Sequence, residues 1–92
     1  MIVRYRKQAL DDIDAIYNYI HERSPVGAQN VMRAIYAGVH LVGARPMAGP
    51  GTSDPTVRVK VLTKYRYKIF YAVGDDAVEI PHVRHMSRTP WL

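Results

Sequence analysis

The chain is expected to fold as an α+β domain: an N-terminal strand, then an antiparallel helix hairpin packed on a mainly antiparallel sheet of three to four strands. Three observations lead there. Apolar residues recur at three- and four-residue spacing from Ala9 to Val42, which is the period of a helix face. From Val57 to Val73 they recur at every second position, the period of a strand. A Pro- and Gly-rich linker, Arg45 to Pro55, separates the two regimes.

Taken in order, Ile2, Val3 and Tyr5 interleave with Arg4 and Arg6 as a short opening strand. Ala9, Ile13, Ile16, Tyr17 and Ile20 then form one face of a first helix. Asp11, Asp12 and Asp14 fall in its expected first turns, where carboxylates meet the positive end of the helix dipole. Ser24-Pro25 reads as the start of a second helix, with Ser24 as cap and Pro25 in the first helical position. Its stripe of Ala28, Val31, Ile35, Gly38 and Val42 carries it to about Gly43, and Gly38 permits close approach of another backbone. The linker is expected to be the most mobile segment. Beyond it, Val57/Val59/Val61 and Tyr65/Tyr67/Ile69/Tyr71/Val73 make two strands, Gly74-Asp75-Asp76 a turn, and Val78 to Arg84 a third. Pro81 within that last strand requires an edge or a bulge.

Ninety-two residues allow one core, so residues 1–92 form a single domain. A hydrophobic share of 48% argues against a polar disordered chain. Thirteen Lys and Arg against eight Asp and Glu leave a formal charge of +5, which favours an acidic partner: nucleic acid, acidic protein or anionic surface. Without cysteine there is no disulfide framework, thiolate metal site or thiol nucleophile. No apolar run approaches the ~18–20 residues of a membrane span. A soluble, cytoplasmic protein without membrane contact is expected.

Five cations, Arg58, Lys60, Lys64, Arg66 and Lys68, follow one another without an intervening acid. With Val57, Val59 and Val61 turned to the helices, Arg58 and Lys60 project from the opposite sheet face, and Arg66 and Lys68 join them from the next strand. Such a strip suits a polyanion or an acidic peptide; alternatively it is a solvated basic face. His82 and His85, three apart on a strand, point to opposite faces and do not form a metal pair. His21-Glu22-Arg23-Ser24-Pro25 opens like a two-histidine zinc motif, but Pro25 takes the second ligand's place. Gly49-Pro50-Gly51 lacks the Lys-Ser/Thr ending of a phosphate loop, and Ser87 with His85 lacks a third partner. No metal and no cofactor are expected.

Several segments, in order, are similar to those of the RelE/ParE toxin superfamily, specifically its ParE-type, plasmid-stabilisation branch. Ala9 to Ile20 resembles that branch's acidic first helix ending in Tyr-Ile, and Pro25 followed by Ala28 the start of its second. Pro46-Met47-Ala48-Gly49 resembles its Pro-x-x-Gly, although Pro50 stands where Arg commonly follows. Arg58 matches the single Arg of the next strand, and Tyr67 to Val73 resembles its Tyr-Arg-Ile-Val-Tyr strand. Val78 to His85 resembles the closing strand with its terminal His, Pro81 replacing an aliphatic residue; Arg88 and Trp91 fit the tail.

The resemblance implies the toxin of a type II toxin–antitoxin system, held in a hetero-oligomer by an acidic antitoxin encoded beside it. Antitoxin contacts are expected at Tyr17, Tyr19, Ile20, Arg66 and Lys68. ParE-type toxins poison DNA gyrase, and contacts to such a target are expected at Arg58, His85, Arg88 and Trp91. RelE-type relatives cut mRNA in the ribosomal A site; the positions matching their RNase residues are Arg58, Lys60, Lys68, Arg84 and His85. The C-terminal Tyr of several RNase members is missing, since Met86, Ser87 and Arg88 follow His85. A gyrase-binding toxin, not an enzyme, is therefore the leading expectation. The alternatives are a ribosome-dependent mRNA nuclease and an inactive member that only binds its antitoxin. Trp91 either folds back over the core or serves as an exposed aromatic anchor beside Arg88.

Overall fold

The computed structural model describes residues 1–86; Ser87, Arg88 and Trp91 lie outside the described residues. The elements run β1 (Ile2–Tyr5), α1 (Lys7–His21), α2 (Pro25–Ala44), β2 (Arg58–Leu62), β3 (Tyr67–Val73) and β4 (Ala77–His85). The four strands form one sheet in the order β1-β4-β3-β2. β1 runs parallel to β4, and the other two pairings are antiparallel. The helix hairpin covers one face. Ala9, Ile13, Val31, Ile35, Val39 and Val42 bury against Ile69, Tyr71, Val78, Ile80 and Val83.

The second helix starts as its sequence dictates. The Ser24 hydroxyl accepts a hydrogen bond from the Gly27 amide at 2.9 Å, and Pro25 occupies the first turn, where its missing N–H costs nothing. A Cβ at Gly38 would lie 2.8 Å from Leu62 Cδ2 and 3.0 Å from Ile69 Cδ1, so the close approach there is to side chains rather than to backbone. The first helix departs from expectation. It begins at Lys7, without a side-chain cap and with no acid in its first turn. The three aspartates therefore lie beyond the reach of the helix dipole. Asp11 instead pairs with Lys7 at 3.0 Å, and Asp12 turns toward β4.

In β3 and β4 the register shifts between Phe70 and Ala72, so Tyr71 faces two residues of β4, Ile80 and Pro81. This bulge accommodates Pro81, whose nitrogen cannot donate to the ladder. It also resets the alternation: Val78 and Ile80 face the helices before it, Val83 and His85 after it. Tyr65 and Arg66, expected at the start of β3, form the turn out of β2 instead. Arg66 takes φ 63°, and its amide donates to the Leu62 carbonyl at 2.8 Å.

Candidate functional site

The register decides which cations can act together. Directly paired residues of an antiparallel ladder share a face, so Arg58, Lys60 and Leu62 lie with Tyr71, Ile69 and Tyr67 on the helix side. Val57, Val59 and Phe70 are buried as a separate cluster, against which Val61 packs, and the ladder puts them on the other face. The expected single strip is corrected accordingly. Lys68 and Arg84 are cross-strand neighbours on the outer face, whereas Arg58 and Lys60 belong to the helix side. The physical reason is that β2 lies at the sheet's margin. Its helix-side residues at Arg58 and Lys60 lie past the helix layer, where Arg58 meets the linker and Lys60 is partly exposed, while its valines find Phe70 beneath the sheet.

Arg58 holds the linker. Its Nη1 donates to the carbonyls of Gly49 at 2.8 Å and Met47 at 3.3 Å. The Gly49 amide in turn donates to the Tyr71 hydroxyl at 3.1 Å. A Cβ at position 49 would collide with that hydroxyl. The Val59 amide donates to the Pro50 carbonyl at 3.0 Å, and Thr52 bonds Val57. At Asp54, hydrogen bonds from the Thr56 hydroxyl and amide hold the carboxyl below its ordinary range. The linker expected to be most mobile is thus tied to the sheet at several points.

At the other end of the sheet, a groove of about 370 Å³ runs between α1 and β4, lined by Asp12, Tyr19, Tyr67, Arg84 and His85. Tyr67 and His85 meet edge to face at 5.0 Å. The Asp12 carboxylate, 9% exposed, accepts from the Val83 amide at 3.1 Å and from Gln8 at 2.8 Å. His82 Nδ1 lies 3.5 Å from that carboxylate and Arg84 Nη1 3.9 Å. β1 pairs β4 only as far as Ile80, so Asp12 takes over a strand amide that β1 does not reach. Sequence reasoning assigned Asp12 to the dipole and missed this. The signal was present: Asp12 lies three residues after Ala9 and four before Ile16, at the border of the buried stripe.

The remaining expected residues are scattered. Tyr19 is exposed, and the Arg23 guanidinium stacks 3.9 Å from its ring. Tyr17 stacks on His21 at 5.2 Å, about 200° from Tyr19 around α1. Ile20 packs against the core. Arg66 is exposed in its turn, and Lys68 lies beyond the sheet from the helices. Arg88 and Trp91 lie outside the described residues. Among the described residues, no three His, Cys, Asp or Glu side chains gather as a metal site. Nor is any described helix long and apolar enough to cross a membrane.

The fold is similar to a solved chain titled "Chromosomal ParDE TA system from P. aeruginosa", with a TM-score of 0.83 at 22% identity, covering 95% of this chain and 97% of that one. No curated protein matches the sequence. The family model described as ParE toxin of type II toxin–antitoxin system, parDE, matches residues 3–90. Nearly the whole chain, including both helices and every strand residue but Ile2, falls within that match, and the chain belongs to the ParE toxin family of type II toxin–antitoxin systems.

Proposed function

We propose that this toxin acts by binding rather than by cleavage, that its target is DNA gyrase, and that an acidic antitoxin encoded beside it neutralises it. The observation that carries the binding reading is the dispersal of the residues matching the RNase positions. Cutting a phosphodiester needs a base, an acid and phosphate-binding cations converging on one bond. Here Arg58 is spent on linker carbonyls, Lys60 borders the depression beside α2, and Lys68 lies on the outer sheet face, while Arg84 and His85 share the α1 groove at the other end of the sheet, where Asp12 lies beside Arg84. The +5 charge supports an acidic partner for neutralisation.

The test places the purified chain with gyrase and plasmid DNA, and separately with translating ribosomes. The expected outcome is loss of supercoiling with accumulation of cleaved DNA, and intact mRNA. Cuts at the ribosomal A site without any effect on gyrase would overturn the reading.

A further inference from the structure

Charge is unevenly shared along the chain. Residues 25–74 carry seven Lys and Arg against one acid, Asp54, whereas residues 1–24 carry four of each. Four of those seven cations, Arg33, Arg45, Lys60 and Lys64, border one feature. Asn30, Ala34, Ala37, Leu41 and Arg45 follow one another at three- and four-residue steps, so they form a single stripe along α2. Two depressions lie in line on that stripe. One, of about 400 Å³, is bounded by Arg33 and Ala37 on the helix and by Lys64 and Tyr65 on the β2–β3 turn. The other, of about 420 Å³, lies between Leu41 on the helix, Arg45 just past its end, and Lys60 and Val61 on β2, closed at its end by the linker. From Asn30 to Arg45 the stripe is ~22 Å long at 1.5 Å per residue. Its floor is small or apolar: Ala37 is exposed and Leu41 is 50% exposed. Its banks are cationic at both ends, and no acid borders either depression.

We propose that this α2–β2 groove seats an acidic segment of the antitoxin, with apolar side chains over Ala37 and Leu41 and carboxylates at Arg33, Lys64, Lys60 and Arg45. The inference rests on the toxin–antitoxin reading above and adds where the partner lies. Charge complementarity favours an acidic occupant. The apolar floor favours a peptide over a nucleic acid, whose contacts would be dominated by phosphate. A segment of four helical turns matches the stripe's length.

The test measures binding of the separately purified product of the adjacent reading frame. Four forms of this chain are compared: wild type, Arg45→Glu/Lys60→Glu, Ala37→Arg, and Arg4→Glu/Lys7→Glu as a control with the same change in net charge. All substituted positions are at least partly exposed, and thermal melts verify that each variant folds. The groove variants should bind on the order of a hundredfold more weakly, and the control within a few-fold of wild type. If wild type binds and the groove variants bind as the control does, the groove is not the seat, while the toxin–antitoxin reading stands. Displacement of the partner from wild type by a short RNA oligonucleotide, absent with the groove variants, would make the groove a polyanion site and overturn the proposal. If wild type itself does not bind the adjacent product, the toxin–antitoxin reading fails and the proposal fails with it.

Discussion

Asp12 shows how one side chain can carry more than its position suggests. Its carboxylate replaces a missing strand neighbour for the Val83 amide and orders Gln8, His82 and Arg84 around it. Removing it leaves a strand amide without its partner and takes the nearby carboxylate away from His82 and Arg84, which bond each other at 3.2 Å. Asp12→Ala should therefore cost about 1–3 kcal/mol, read as a lowered urea midpoint with an unchanged slope. Asp12→Asn, which keeps an acceptor oxygen, should lose less. Tyr5 offers a test by pH. Burial first, and the nearby Tyr36 second, raise its phenol above 10.0. The fold thus favours the neutral ring. That contribution is full below the unfolded value and is lost as pH rises through the higher folded value. Wild-type stability should fall more steeply than that of Tyr5→Phe between about pH 9 and about pH 11, measured by urea midpoints at intervals across that range.

At the scale of elements, the helices were legible because each signal had one physical reading. Ser24-Pro25 can only open a helix, and the apolar stripe of α2 has one side that buries. The phase of β2 was not. Alternation shows which residues share a face, but both faces of β2 carry apolar side chains: Leu62 against Gly38 on one, Val57 and Val59 with Phe70 on the other. Only pairing with β3 chooses between them, and that pairing is not local. The candidate site suffered the same way, since the basic strip rested on that phase. The bulge at Pro81 was half legible: proline demanded an irregularity, but not the change of face that follows it. Gly38 gives the element-scale prediction. Gly38→Ala gains about 1 kcal/mol of helix propensity, but its methyl meets Leu62, which can yield, and Ile69, which is fully buried. Overpacking of this kind costs about 1–3 kcal/mol. The net expectation is a loss of about 1 kcal/mol, or roughly 4–8 °C in Tm for a domain of this size. A Tm at or above wild type would mean that Ile69 repacks freely.

At the scale of the molecule, the sheet works on both sides, with the main core under the helices and a smaller apolar cluster on the other face. The smaller cluster ties β2 to β3 independently of α2. The linker fastens to the same strand through Arg58 and Val59.

The parallel pairing of β1 with β4 governs when the toxin can exist during its own synthesis. Val83 reaches Asp12 across 71 residues, and Arg6 reaches Glu79 across 73. Contacts of such separation close late, because the intervening chain must first be ordered. While a ribosome is still making β3, β1 and α1 are already outside it and have no β4 to bury against. The nascent chain therefore remains unfinished until the last strand emerges. In a force-sensing arrest experiment on ribosome-bound chains, folding tension should appear only once Ile80 has cleared the exit tunnel. Tension from chains ending at β3 would show that the helix hairpin folds without β4. This leaves the whole length of translation as an interval in which a partner can arrive before the fold is complete.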